Sequence, residues 1–227
     1  MVTTLYLIRH GKTAGGEVKR YHGSIDVPLS DEGEAQMQAT AAYLRQRLEG
    51  SAASQRMSYL RDIHGGGEAP PGPAGLRQVY CSDLSRAIKS AEYVAAPFGL
   101  QPVIVPQLRE RSFGIWEGMS FIEIKDRYPE EFEAWAGDPL RFSPPGGENT
   151  LEVRDRAIAA LDEILSRHPG QEIAVVAHGG VNRVILCHVL GISLENIFRI
   201  EQDHAAVSII EYWEKYPVVK LMNGGRQ

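Results

Sequence analysis

Short, continuously apolar runs alternate along the chain with longer segments whose apolar residues recur at helical spacing. The continuous runs are typical of strands buried on both faces, and they occupy residues 3–8, 78–81, 103–105 and 171–177. Helical spacing predicts helices over residues 31–48, from the SDLSR segment to about residue 96, over 120–136, over 149–168, and from the HGG segment through residue 190. Two final strands, 206–213 and 218–222, are predicted to close the chain as a hairpin-like pair.

Three of these helices carry local signals at their ends or within them. Ser30 precedes the acidic first turn of the 31–48 helix and is a suitable N-cap. Asn149, with Glu152 three residues later, resembles a capping box at the start of the 149–168 helix. Pro129 is expected to break the 120–136 segment, because proline removes a helical hydrogen bond and clashes with the preceding turn.

The alternation of strands and helices predicts an α/β fold, a three-layer α/β/α sandwich with a mostly parallel central sheet. Since 227 residues suit one α/β unit, we expect a single domain over residues 1–227. Gly and Pro dominate the stretch HGGGEAPPGPAG and resist regular structure, so residues at about 50–76 are interpreted as an insertion. The final strand pair offers an edge that permits a homodimer.

Composition narrows the classes of partner. The formal net charge of −5 argues against nucleic acid, whose binding requires clustered Lys and Arg in excess. Cys81 and Cys187 are too few for a disulfide framework and lack CxxC spacing, which favours the cytoplasm. No run approaches the roughly 20 apolar residues of a membrane span, and the N-terminus lacks a basic region before a cleavage site. We therefore expect neither a nucleic acid nor a membrane partner.

Three predicted strands end in polar motifs that carry chemistry: RHG at residues 9–11, SDLSR at 82–86 and HGG at 178–180. Ligands of open α/β sheets bind beyond the carboxyl ends of the strands, so these motifs would meet in one crevice. Two arginines and two histidines would gather there. Guanidinium groups bind phosphate oxygens bidentately and helix N-termini add backbone donors, so the expected ligand is a small phosphorylated metabolite.

Two further roles follow from the chemistry of phosphoryl transfer. A neutral imidazole can attack phosphorus directly, and His10 beside Arg9 suits that attack. The leaving alcohol needs a proton donor, and the segment after the third strand offers the carboxyl group of Glu110. The remaining histidines lack partners at metal-ligand spacing and are assigned to structure or solvent: His64, His168, His188 and His204.

Four ordered blocks resemble the histidine phosphatase superfamily, which is phosphoglycerate mutase-like in fold. They are RHG with Thr13, SDLSRA at 82–87, LRERSFGIWEG at 108–118 and VAHGG at 176–180. The resemblance implies that His10 is the phosphorylated nucleophile, that Glu110 is the general acid, and that no metal or other cofactor takes part. It also implies that the phosphoryl group is held by Arg9, Arg86 and His178. Further substrate-binding residues are expected at Thr13, Arg20, His22, Gly23 and Gly179.

Within this superfamily the chain looks most like α-ribazole phosphatases, through ERSFGIWEG, PPGGEN at 144–149 and FRIEQ at 198–202. That likeness implies hydrolysis of α-ribazole 5′-phosphate in cobalamin biosynthesis. Phosphoglycerate mutases carry a basic insertion after the residue matching Glu110, whereas this chain is mostly acidic there. The alternatives are a phosphoglycerate mutase, a broad-specificity sugar-phosphate phosphatase, or a non-catalytic module that binds a phosphorylated ligand. The family often has Gln where His22 stands, and an imidazole can donate in place of that amide.

Overall fold

A computed structural model describes residues 1–15, 20–50 and 75–225 of the chain. Its strands are β1 (Thr3–Arg9), β2 (Gln78–Cys81), β3 (Val103–Ile104), β4 (Glu172–Ala177), β5 (Val207–Tyr212) and β6 (Pro217–Gly224). They form one sheet in the order β3-β2-β4-β1-β5-β6. The pairings among β3, β2, β4 and β1 are parallel, whereas β5 runs antiparallel to both β1 and β6. The predicted mostly parallel sheet and the final strand pair are confirmed.

Helices connect and cover these strands, and their ends follow the local signals of the sequence. They are α1 (Asp31–Gly50), α2 (Ser85–Ala95), α3 (Phe121–Arg127), α4 (Pro129–Gly137), α5 (Thr150–Ser166) and α6 (Gly179–Leu190). The Ser30 hydroxyl accepts a hydrogen bond from Gly33 N at 3.1 Å, as an N-cap does. Asn149 and Glu152 form the predicted capping box. The break between α3 and α4 falls beside Pro129, as predicted.

The core lies in two layers, one on each face of the sheet. Successive side chains of a strand point to opposite faces, so Leu5 and Leu7 join one layer while Tyr6 and Ile8 join the other. Helices α5 and α6 cover the first layer, and α1 and α2 cover the second. Burial on both faces explains the continuous apolar runs, and each fully buried Leu or Ile contributes about 1.5–3 kcal/mol to folding.

A smaller aromatic cluster forms around α3 and α4, apart from the two core layers. Its buried members are Trp116, Ile124 and Phe132. The partly buried side chains packed against them are Tyr21, Phe113, Met119, Tyr128, Trp135 and Phe142. The cluster therefore joins the loop after β1 to the loop after β3, because Tyr21 comes from the first and Phe113 from the second.

The insertion expected at about 50–76 lies mostly outside the described residues, as does His64. At its described borders α1 runs on to Gly50, and Leu76 is buried in the core layer under α1 and α2. In the part of the chain that the structure describes, no helix combines the length and apolar character of a membrane span.

Two glycines bring the loop after β1 directly onto the start of α1. A Cβ atom on Gly11 would lie 2.4 Å from Gly33 O, and a Cβ atom on Gly33 would lie 2.0 Å from Lys12 O. Real side chains do not approach backbone atoms this closely, so both positions depend on the absence of a side chain. The contact fixes the backbone that immediately follows His10.

We expect Gly33→Ala to destabilise the protein by at least about 1–3 kcal/mol, because the added methyl group must push the 11–12 loop away from α1. Urea denaturation of the variant and the wild type measures this difference. Gly137→Ala is the matched control, since a Cβ atom there meets nothing within 4 Å, and its stability should equal or slightly exceed that of the wild type. Equal stability of the two variants would contradict the prediction.

Candidate active site

The carboxyl ends of β1, β2 and β4 meet at one edge of the sheet, as the sequence predicts. Arg9 pairs in register with Ala177, and Cys81 pairs with Val176, so the residues that follow each strand emerge side by side. The imidazole rings of His10 and His178 lie with their centroids 5.1 Å apart. The crevice at this edge therefore contains the two histidines that the sequence singles out.

A hydrogen bond to the next residue, Gly11, fixes the tautomer of His10. Its Nδ1 lies 2.7 Å from the carbonyl oxygen of Gly11, and since a carbonyl can only accept, Nδ1 carries the proton. In the neutral ring Nε2 then keeps its lone pair. Burial holds the pKa of His10 well below its ordinary 6.5, and His178, Arg9 and Arg86 lower it further. The ring is thus a neutral imidazole whose Nε2 has no hydrogen-bond partner among the described residues, the form that a nucleophile requires.

His178 is fully buried and is tied to β2 through Ser82. Its Nε2 lies 2.6 Å from Ser82 Oγ, which also accepts a hydrogen bond from Leu84 N. The serine hydroxyl can therefore donate to Nε2, and this leaves the ring proton on Nδ1. Burial, followed by the charges of Arg86 and Arg9, holds the pKa of His178 well below its ordinary value. Nδ1 is buried and has no hydrogen-bond partner among the described residues, so it is a donor available to a ligand.

Arg9 and Arg86 place two positive charges at the crevice. Arg86 lies in the first turn of α2, is 2% exposed, and donates to the carbonyl oxygens of Ile25 and Gly23 at 2.8 and 2.7 Å. Arg9 donates to Gln202 O at 2.6 Å, and its Nε has no partner within the described ranges. Burial lowers the pKa of both groups. Carbonyl partners carry no full negative charge, so the site retains a positive potential suited to an anion.

The N-terminus of α6 lies at the same edge of the sheet. Helix N-termini carry unpaired N–H groups and a partial positive charge, both of which favour phosphate. Gly179, the first residue of α6, packs against the Arg9 side chain, where an added Cβ atom would lie 3.3 Å from Nε. The glycine therefore allows the helix to approach the guanidinium closely.

Glu110 reaches the same edge from the loop after β3. Its Oε2 accepts a hydrogen bond from Gly180 N at 3.0 Å, and its Oε1 accepts one from Arg111 N at 2.9 Å. A Cβ atom on Gly180 would lie 2.5 Å from Oε1, so only glycine leaves room for the carboxylate. The structure thus brings the predicted acid to the helix that follows His178.

The loop that carries Glu110 is supported by the PPGGEN segment. Glu148 accepts a hydrogen bond from Ser112 N at 2.9 Å and pairs with Arg156 of α5, which also donates to Glu110 O. A Cβ atom on Gly114 would lie 2.1 Å from Pro145 O, so the two loops pack backbone against backbone. In the sequence PPGGEN stands out only through the likeness to α-ribazole phosphatases, whereas the structure shows that it supports the Glu110 loop.

The other predicted substrate-binding residues are distributed around the crevice. Gly23 contacts Arg86 through its carbonyl oxygen, and His22 beside it is half-buried, with a pKa lowered by burial and by Arg86 and Arg20. Thr13 is buried and pairs as a β-bridge with Leu29. Arg20 instead donates to Gly118 O and to the carboxylate of Glu123.

His204, which the sequence assigns to structure or solvent, lies at the same crevice. Its Nε2 lies 2.9 Å from Arg9 Nη2, and its ring centroid lies 5.6 Å from that of His10. His204 precedes β5, and because β5 is antiparallel to β1, its start lies where β1 ends. Placing the final strand pair beside β1 would have found it.

Two other histidines, His168 and His188, fit the expected structural or solvent roles. His168 lies 2.7 Å from the Tyr80 hydroxyl at the opposite edge of the sheet, and His188 is exposed on α6.

Glu117 is a residue near the crevice that the sequence does not single out. Its Oε1 accepts hydrogen bonds from Ser24 N and Phe113 N. It therefore joins the loop that contacts Arg86 to the loop that carries Glu110. Across residues 1–15, 20–50 and 75–225, no three His, Cys, Asp or Glu side chains are grouped to hold a metal ion.

Comparisons with known proteins agree with this geometry. The sequence matches the histidine phosphatase superfamily (branch 1) over residues 5–56 and 72–224. It is 28% identical over 220 residues to phosphoserine phosphatase 1 of Hydrogenobacter thermophilus, covering 96% of this chain and 91% of that protein. A bifunctional protein of Mycobacterium tuberculosis is 30% identical over 222 residues, covering 97% of this chain and 54% of the relative. The chain thus spans about half the length of that relative.

A solved structure shares the fold. The alpha-ribazole phosphatase from Shigella flexneri superposes with a TM-score of 0.79 at 24% identity, covering 98% of this chain and 96% of that one. At this level of identity the similarity establishes the fold, and the phosphoglycerate mutase-like α/β architecture expected from the sequence is confirmed.

Acid pH should destabilise the protein through His10 and His178. Both have pKa values well below 6.5 when folded, so the unfolded chain binds more protons below about pH 6.5 and the free energy of unfolding falls there. The loss is up to about 1.4 kcal/mol per pH unit for each histidine. Urea denaturation at pH 7.5 and 5.5 measures it.

Two variants isolate the contribution of His10. His10→Asn removes one titrating group and keeps an N–H donor for Gly11 O, so its stability should depend less on pH than that of the wild type. His188→Gln removes an exposed histidine and should leave the dependence unchanged. Identical curves for wild type and His10→Asn would contradict the assignment.

Proposed function

The chain belongs to the histidine phosphatase superfamily, and from that premise we propose that it hydrolyses phosphomonoesters through a phosphohistidine on His10, without a metal. The observation that carries this proposal is the neutral His10 ring, whose Nδ1 is committed to Gly11 O and whose Nε2 keeps its lone pair. The guanidiniums of half-buried Arg9 and buried Arg86 lie near it. A nucleophile of this kind has no use in a module that only binds a phosphorylated ligand.

In the first half of the reaction Nε2 of His10 attacks phosphorus as the bond to the leaving oxygen breaks. Arg9, Arg86 and Nδ1–H of His178 stabilise the negative charge on the remaining phosphoryl oxygens. Glu110 gives its proton to the leaving oxygen, which departs as an alcohol. The products of this half are the free alcohol, phosphorylated His10 and the Glu110 carboxylate.

In the second half water attacks the phosphohistidine, and Glu110 takes a proton from it. The N–P bond breaks, and orthophosphate and the neutral imidazole are regenerated. One carboxylate can serve both halves only if it stays in place between them. The hydrogen bonds from Gly180 N and Arg111 N hold Glu110 there.

Hydrolysis is proposed rather than mutase chemistry because of the charge of α3 and α4. These helices follow the Glu110 loop, and they and the residue after them carry acidic side chains: Glu123, Asp126, Glu130, Glu131, Glu133 and Asp138. Negative charge on this side disfavours a phosphoglycerate, which bears a carboxylate as well as its phosphate.

The proposed substrate is α-ribazole 5′-phosphate, whose leaving group carries an aromatic base. The aromatic cluster supports this choice, since Phe113 lies against Gly23, the glycine that Arg86 contacts. Tyr21 packs edge-on against Phe113 at a centroid distance of 4.9 Å. An apolar, aromatic wall beside the loop that contacts Arg86 suits an aromatic leaving group better than a small polar one.

Phosphoserine is the second candidate, favoured by the relative from Hydrogenobacter thermophilus that bears the name phosphoserine phosphatase. A broad sugar-phosphate phosphatase would share the phosphoryl site and differ only around the leaving group. A single domain with an insertion at about 50–76, a cytoplasmic location and a homodimer remain proposals that rest on the sequence.

Rapid mixing with a labelled phosphomonoester, followed by quenching, should trap a phosphoenzyme that is labile in acid and stable in alkali, as an N-phosphorylated histidine is. His10→Asn should form none and should lose kcat by roughly a thousandfold or more. His188→Gln should behave as the wild type. A full level of phosphoenzyme in His10→Asn would overturn the mechanism.

A comparison of kcat/KM across substrates shows which leaving group the enzyme prefers. We expect α-ribazole 5′-phosphate to exceed phosphoserine and 3-phosphoglycerate by roughly tenfold or more. Phe113→Leu should reduce kcat/KM for α-ribazole 5′-phosphate while leaving that for phosphoserine unchanged. The reverse ranking would favour the second candidate, and phosphoryl transfer to a second hydroxyl group instead of water would show a mutase.

A further inference from the structure

The turn between residues 202 and 206 holds Arg9 through both its backbone and its side chain. Arg9 N donates to Ala206 O at 3.1 Å, and Ala205 N lies 3.1 Å from Arg9 O and 3.2 Å from His10 O. The guanidinium donates through Nη1 to Gln202 O and contacts His204 through Nη2. The conformation of the turn therefore decides where Arg9 points.

The turn itself is fixed from two sides. Ala205 has a left-handed backbone with φ of 60°, which non-glycine residues adopt only when their surroundings impose it. Its carbonyl oxygen accepts the hydroxyl proton of Thr40 on α1 at 2.7 Å. On the other side Asp203 N donates to Asn223 Oδ1 at 2.7 Å, and Asn223 Nδ2 donates back to the Asp203 carboxylate. The position of His204 between these anchors is thus well defined.

The contact between His204 and Arg9 determines the protonation of His204. A guanidinium only donates, so Nε2 of His204 must accept from Arg9 Nη2 at 2.9 Å. The ring is then neutral and carries its proton on Nδ1. The turn engages one N–H of Nη1 and one of Nη2, and Nε has no partner among the described residues, so donors of Arg9 are left for a ligand.

We propose that neutral His204 is a positioning residue for phosphoryl transfer, which accepts a hydrogen bond from Arg9 and so directs the Arg9 guanidinium toward the phosphoryl group. A protonated His204 could not accept this bond and would place a second positive charge against Arg9. The inference rests on the proposed function, and it adds that the competent enzyme has an uncharged ring at position 204.

Other charged and titratable groups surround this contact and must be separated from it. Arg9 ends β1, and His10 follows it within electrostatic reach. Arg183 of α6, Glu201 before the turn and Asp203 within it also act on Arg9. Glu110 acts on Arg9 from the loop after β3. Burial and neighbouring cations hold the pKa values of His10 and His178 well below 6.5, so those two rings protonate at lower pH than an ordinary histidine.

Two substitutions of His204 distinguish positioning from simple packing. His204→Ala removes the acceptor, whereas His204→Gln keeps an amide oxygen near the place of Nε2 but cannot gain a proton. We expect His204→Ala to lower kcat/KM for p-nitrophenyl phosphate at pH 8 by roughly tenfold or more, the usual effect of losing a charge-assisted hydrogen bond. His204→Gln should restore most of that loss.

The pH profile supplies a readout that packing alone would not move. Ionisation of the substrate affects kcat/KM equally in wild type and His204→Gln, so its effect cancels in the ratio of the wild-type value to that of the variant. This ratio should fall at pH values low enough to protonate His204, because only the wild type loses its acceptor on protonation. His188→Gln is the control and should track the wild type at every pH. His204→Ala activity equal to that of the wild type, or His204→Gln activity no higher than that of His204→Ala, would overturn the inference.

Binding of orthophosphate, measured by calorimetry on the same variants, separates this inference from the proposed function. His204→Ala should bind orthophosphate more weakly than the wild type, and His204→Gln should bind it nearly as well. A wild type that binds orthophosphate but does not turn over p-nitrophenyl phosphate would contradict the proposed hydrolysis while still testing His204. Equal affinities in all three proteins would contradict the role of His204 alone.

Discussion

Two guanidiniums and two imidazoles share one poorly solvated edge of the sheet, and the arrangement of the surrounding loops follows from that constraint. Positive charge buried without an opposing charge is costly, and here the partners of Arg9 and Arg86 are largely carbonyl oxygens. Burial and these neighbouring charges lower the pKa of both histidines, so the two rings stay neutral. The site therefore has a positive potential that an anionic ligand would neutralise.

Rigid supports keep this unfavourable arrangement in place. Gly11 and Gly33 lock the loop after His10 onto α1, Glu117 ties two loops together, and Gly114 packs the Glu110 loop against the PPGGEN segment. None of these contacts involves the reacting atoms. They restrict motion of the groups that do, which is how a folded protein maintains a preorganised site at the expense of stability.

The sequence predicts the strands, the helix caps and the convergence of three strand ends because each depends on local patterns and on one general rule for parallel sheets. His10, His178 and Arg86 are found in this way. His204 and Glu117 are missed because their roles depend on contacts between segments far apart in sequence. The single antiparallel strand beside β1 brings His204 to the site, and no residue pattern near position 204 reveals which strand β5 will join.

The hydrogen bonds from Arg9 to residues 202 and 204 connect positions separated by 193 and 195 residues along the chain. Contacts of such long sequence separation form late in folding, after the entropy of closing the intervening loop has been overcome. During synthesis the ribosome must release the chain through residue 204 before Arg9 meets its partners. A nascent chain that stops short of residue 202 therefore contains the RHG, SDLSR and HGG motifs but lacks the turn that holds Arg9.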